Sequence, residues 1–517
     1  MALAGVVASA GIARAQSADV TLETAERFLS RALAEVRNTS ISSTRESAQV
    51  ISALRSSHDA ALAPVFDAMR KSSQVENQIY GMVAAAVLTK DATRIDVDLL
   101  IKTREPTLIG SAIATLIDAS VITNEQLEKI MTGASDPAHR AMAAGELNHR
   151  GALKDRSILT SLLNNDKDVV RYYAAVSLLE SPSAATAPGG AGGAGVSSND
   201  TAAALAALHE MSDTHDLRQA PVQALMIVRA QKQTITAAAP WIAEIARDEK
   251  KEGGLRLTAV MALLILKNPA GPEILTNLIA QERDAVKQIK LGLISLEFAE
   301  RLTPAALDPL VKSKTALARS VGTLAQHAAR DRSADVTTGI LKLIQDGQPI
   351  VMDWALIYSD RAAPDRRMAI RSALINASTI VDEQRGQDYE RAAGAAQRAV
   401  EDSAAGRRLV GSMLSSDNKA VVEACLAGIY RSEIADQSAL VLPQFEHYMK
   451  APHAETIANY ATLILAREGH AEALAWLPNM VIGSTVQNPG FRALAGWYYA
   501  KLKGQSAAFL KTVLANP

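Results

Sequence analysis

The densest group of side chains able to do chemistry is His209-Glu210-Met211-Ser212-Asp213-Thr214-His215-Asp216. Imidazoles and carboxylates gathered this closely are the donor set of a divalent-metal site, and His209, Asp213 and His215 are its ligand candidates. Their spacing argues the other way. His209 and His215 are six apart, whereas side chains on one helical face recur every three or four positions. The segment also falls where one helix should stop and another begin. There an aspartate satisfies free backbone N–H groups, so Asp213 or Asp216 as a helix cap is the expected role. Phe445-Glu446-His447 and His453 read the same way, as polar side chains at helix ends.

Other routes to chemistry close quickly. Gly190 to Gly195 spells G-x-G-x-x-G. That motif works between a strand and a helix, with an acidic residue about 20 positions on, and the context is missing. No Walker A lysine motif, G-x-S-x-G elbow or H-E-x-x-H is present. The single cysteine, Cys425 in VVEACLAGIY, excludes internal disulfides and multi-cysteine metal sites. It stands on the apolar side of a helical pattern, without the basic neighbours that activate a thiol. Charge runs such as 248–252 and 365–367 read as turns or solvated faces. No catalytic residue and no cofactor is assigned.

The elements that would position any site are helices. The 517 residues are 48% hydrophobic and 4% aromatic, rich in alanine, with a net charge of −1. That apolar content builds a core and excludes global disorder. Alanine favours helix, and strand formers are scarce. The charge balance lacks the basic excess of a nucleic-acid binder. Helix starts are marked by Asp136-Pro137, Thr303-Pro304 and Asn488-Pro489, and Thr123 to Gln126 has capping-box spacing.

A repeat runs through these helices. Arg140 and Arg171 lie 31 residues apart. Each is followed by paired alanines (Ala143-Ala144, Ala174-Ala175) and by a leucine seven residues on, Leu147 and Leu178. The same step joins Arg218 to Leu225, Arg256 to Leu263 and Arg367 to Leu374, with Lys287 and Ile294 a looser copy. Residues 417–430 form another, with Glu423 in the arginine's place. Val170, Ala174 and Leu178 share one helical stripe, and Ile158, Leu159, Leu162 and Leu163 form the facing one. Alanines let the two helices approach, leucines fill the seam, and such a pair must stack on another to bury its remaining apolar face. The recurrent arginine is expected to tie a neighbouring loop or helix end by charge-assisted hydrogen bonds.

The D-x-x-V-R-x-x-A-A-x-x-L run, seen with slightly shifted acidic spacing over Asp166 to Leu178, resembles the HEAT-like, armadillo-type helical repeat. The short period looks like the bacterial variety named after bilin lyases. The resemblance is good over 100–180 and 216–295 and patchy over 360–465. It implies an all-α fold, an α-solenoid of stacked HEAT-like helix pairs with a concave face, and it carries over no catalytic residue.

Around the repeats, three segments stand out. Residues 1–15 hold an uncharged apolar run closed by Ala13-Arg14-Ala15, the pattern of an export signal cleaved after Ala15, though no Lys or Arg precedes the run. Residues 181–199 are Ser, Ala, Pro, Gly, Thr and Val ending in Asn199, a composition expected to form a flexible loop. It accounts for the 47 residues between Arg171 and Arg218. Residues 441–517 hold nine of the twenty aromatics. Gly496-Trp497-Tyr498-Tyr499-Ala500, with Gly504, Ala507 and Leu514, looks like one tetratricopeptide unit, and the segment is expected to cap the repeats. HEAT-like repeats are then expected over 16–180 and 200–440. No later segment is apolar enough to span a membrane.

The resulting expectation is a non-catalytic scaffold, periplasmic or secreted, that binds a protein or peptide on its concave face and binds no nucleic acid. The alternative is a lyase-type or metal-dependent accessory enzyme built on the same solenoid.

Overall fold

A computed structural model describes residues 3–179, 198–212, 222, 232–331, 335–377, 385–432, 434–450, 455–483, 486 and 488–515, with side chains of the first helix from Val20. Among the described residues every regular element is a helix. The fold is the all-α solenoid expected. Its packing separates two compact units, Lys90–Asp335 and a second made of Met1–Thr89 together with Val336–Pro517. The expected flexible loop falls mostly outside the described residues, and Ser198 already begins the helix Ser198–Met211.

Within Lys90–Asp335, helices pair and the pairs stack. Asn124–Gly133 packs on Pro137–His149, which also contacts the equivalent helices before and after it, Pro106–Asp118 and Asp168–Leu179. Lys232–Arg247 with Gly253–Ile265 is another such pair. Most starts are capped as the sequence predicts. Asp136 accepts from the Ala138 N–H at 2.9 Å, and Thr123 and Gln126 form a reciprocal capping box. Thr303 differs: its side chain makes no cap bond and it opens a 3₁₀ turn, Pro304–Leu307. Pro309 forces a restart, and a separate short helix runs Asp308–Val311.

Leu147, Leu178 and Leu263 are completely buried, as are Ala143, Ala144, Ala174 and Ala175 between the helices. Leu159 and Leu163 close the facing side, while Ile158 and Leu162 are half-buried. At Gly145 an added Cβ would collide with Ser177 Oγ, so glycine permits the close crossing there. Leu178→Ala should cost about 3 kcal/mol through the cavity it leaves. A urea midpoint unchanged by that substitution would remove Leu178 from the seam. Arg218 and Leu225 lie outside the described residues.

The second unit joins the first helices of the chain to the last ones. Leu3–Asn38, which contains the expected signal segment from Leu3 on, packs with Arg45–Ser56 against Pro489–Leu502. Ser506–Ala515 lies on Leu3–Asn38 and Ala63–Met69. Trp497 is fully buried. Its indole N–H donates to Asp59 Oδ2 at 3.0 Å, and Lys501 Nζ donates to the same oxygen at 2.7 Å. The Arg492 guanidinium sits 4.9 Å from the Phe28 ring centroid. At Gly496 an added Cβ would come 2.7 Å from Ala25 Cβ, so glycine permits the close crossing. Trp497 and Phe509 of the C-terminal helices are thus covered by the start of the same chain.

Candidate functional site

The recurrent arginines hold helix ends. Arg171 Nε donates to Leu163 O at 3.2 Å, Arg256 Nε to Ala246 O at 3.2 Å and Arg367 Nη2 to Ala362 O at 3.2 Å. Two arginines outside the sequence-derived set do the same: Arg319 reaches Ser313 O at 2.6 Å and Arg407 reaches Val400 O at 3.1 Å. Each carbonyl lies at or just past the end of the preceding helix, where C=O groups lack intrahelical partners and the dipole favours a cation. Arg140 departs from the pattern, since its Nε is buried with no hydrogen-bond partner.

The candidate metal cluster is not assembled by its described members. His209 stacks on Trp241 with ring centroids 5.1 Å apart. Glu210 pairs with Arg171, which also reaches Asp168 at 3.3 Å. Asp213, His215 and Asp216 lie outside the described residues, as does His453. Among the described residues no group of three His, Cys, Asp or Glu is placed to hold a metal ion. Cys425 is completely buried, and burial pushes its thiol up to about 12.

The most built polar region belongs to the second unit. Arg371, 3% exposed, donates to Arg398 O at 2.9 Å and Asp360 Oδ1 at 3.0 Å, and lies 3.5 Å from Asp402 Oδ2. Arg367 pairs with Asp402 and Arg398 with Asp360, so charges alternate across three successive helices. Beside this network is a second one. Arg391, itself buried, donates to Asp353 through Nε at 2.6 Å and to Asp388 Oδ1 through Nη1 at 2.7 Å.

Asp388 lines an open cleft of about 710 Å³, within the size range of small-ligand and side-chain pockets. Leu341 and Gln345 come from the helix Thr337–Gln345, Met352 from Pro349–Ser359, and Ala373 and Asn376 from Pro364–Asn376. Asp388 sits in the first turn of Arg385–Asp402, where the helix dipole favours a carboxylate. Apolar walls with an amide pair and one carboxylate suit recognition by packing and hydrogen bonds. Nothing in the sequence marked these residues: each is an ordinary helical side chain, and the cleft exists because four helices meet.

No family model matches the chain, and no curated protein matches it. Among solved structures it is similar to two crystal structures of Kap121p mutants, at 13% and 14% identity and a TM-score of 0.34 in both cases. These alignments cover 96% and 95% of this chain and 55% and 54% of theirs, so it spans about half the length of those chains.

Proposed function

We propose that this protein is a non-catalytic helical-repeat scaffold that binds a protein or peptide outside the cytoplasm. The carrying observation is the division of labour among its polar side chains. Arg171, Arg256 and Arg367 are committed to helix ends, while a mixed polar and apolar cleft lies between helices among the described residues. Glu210 and His209, members of the candidate metal cluster, are engaged by Arg171 and Trp241. Export is supported by the apolar run ending in Ala13-Arg14-Ala15, and a bacterial origin of the repeat by its period near 31 residues. No helix among the described residues is long and apolar enough to cross a membrane.

The test uses the full chain recovered from its host. We expect the mature protein to begin at Gln16, elemental analysis to find no stoichiometric metal, and His209→Ala with His215→Ala to leave partner pull-down unchanged. Stoichiometric metal lost in that double variant would instead support the metal-dependent reading.

A further inference from the structure

We infer that the fold carries a built-in delay: residues 20–89 stay unfolded until residues 477–515 have been made. This goes beyond the scaffold reading and does not rest on it. Ala25, Leu29, Leu33 and Val36 form one stripe on the helix Leu3–Asn38, and all four are buried. Much of what buries them comes from the far end of the sequence. Leu29 and Leu33 meet Phe509, Leu510 and Val513 around one small apolar void. Ser30 Oγ donates to Val513 O at 3.4 Å, across 483 residues. Ala25 lies against Gly496, and Ala53 of Arg45–Ser56 lies against Gly490. The first helix also packs on Leu477–Ile482.

Local partners do not replace these. Arg45–Ser56 and Ala63–Met69 also touch Leu3–Asn38. Residues 20–89, however, are a segment of about 70 residues, a size at which even a complete core is marginal. Without residues 477–515 one side of this core faces water, and burial no longer offsets the entropy of ordering the helices. The polar lock is missing too, since Asp59 loses both side-chain donors, Trp497 and Lys501.

The order of synthesis turns that dependence into a delay. Domains ordinarily fold N-terminal first as the chain emerges. Here roughly 400 residues separate Thr89 from Pro489, and at about 5–20 residues per second they take about 20–80 s to make. Helices form in microseconds, so waiting for the partner sets the pace. Between the two ends lies the unit Lys90–Asp335, whose helix pairs are neighbours in sequence and find their partners early. Residues 20–89 wait, with the stripe of Leu29, Leu33 and Val36 uncovered. In an exported chain the delay keeps the segment after the signal free to thread through a pore as an extended chain; that consequence alone rests on the export reading.

Pulse-labelling hydrogen exchange during refolding of the full chain tests this. Amides of residues 29–36 should gain protection in the same phase as those of 493–500. Protection of 29–36 in an earlier phase than 493–500 overturns the inference. Native-state exchange of Phe509→Leu gives a second reading, since a near-conservative apolar swap leaves the chain folded. The loosened contact should speed exchange at 29–36 and at 493–500 by one common factor of about 3- to 10-fold. Exchange at 29–36 that stays at the native rate in this variant overturns the inference as well. Both measurements are made on purified protein, so neither outcome depends on export or on a bound partner.

Discussion

Arg371→Ala should destabilise the unit built from residues 1–89 and 336–517 by about 4 kcal/mol, the scale for removing one partner from a buried ion network. Arg371 is almost wholly buried and contacts Asp360, Asp402 and the carbonyl of Arg398. Burial pulls its guanidinium below the ordinary arginine value, against the opposing pull of those carboxylates, yet it stays charged at any pH the protein meets. Alanine would leave Asp402 with Arg367 alone and the Arg398 carbonyl without its guanidinium donor. Arg371→Lys should recover little, since an ammonium cannot reach two carboxylates and a carbonyl in the geometry of a planar fork. Urea unfolding measures both, and a loss under about 1 kcal/mol for the alanine variant would contradict a structural role for the network.

Trp497→Ala should cost about 4 kcal/mol as well, by emptying the junction between the chain's first and last helices. This junction carries a pH signature. Burial alone would raise the Asp59 carboxyl, but hydrogen bonds from Lys501, Trp497 and the Ala61 N–H outweigh burial and hold it below its ordinary value of 3.8. A carboxyl with a depressed folded value contributes stability that is complete above its unfolded value and lost as pH falls through the folded one. The Tm gap between the native chain and Asp59→Ala should therefore be constant from neutral pH to about pH 5 and close below about pH 4. A gap that widens on acidification would reverse the sign and rule out the charged junction.

How much of this was legible in the sequence depends on how local each feature is. The buried seam of Leu147, Leu178 and Leu263 follows from a spacing confined to one helix. The arginine ties are nearly as local, since Arg171 and its acceptor Leu163 O are neighbours in sequence. Arg407 keeps the leucine signal, with Leu414 seven residues on and buried. Arg319 loses it because Gln326 stands in the leucine's place and donates to Pro304 O at 3.0 Å. The junction is another matter. Asp59 and Lys501 are far apart along the chain, and an excess of aromatics after residue 440 tells that a surface must be covered without telling what covers it. The cleft is harder still. Asp388 and Arg391 are an ordinary i, i+3 pair, and what surrounds them is a property of how separate helices pack.

The central claim is that this chain works by holding another polypeptide. Native mass spectrometry of the full-length protein, isolated from its host without denaturation, tests it most directly. The account predicts a non-covalent complex whose added mass is a polypeptide, released by salt, with no metal or cofactor mass retained on the chain. A stoichiometric metal or small-molecule adduct with no polypeptide bound would contradict it.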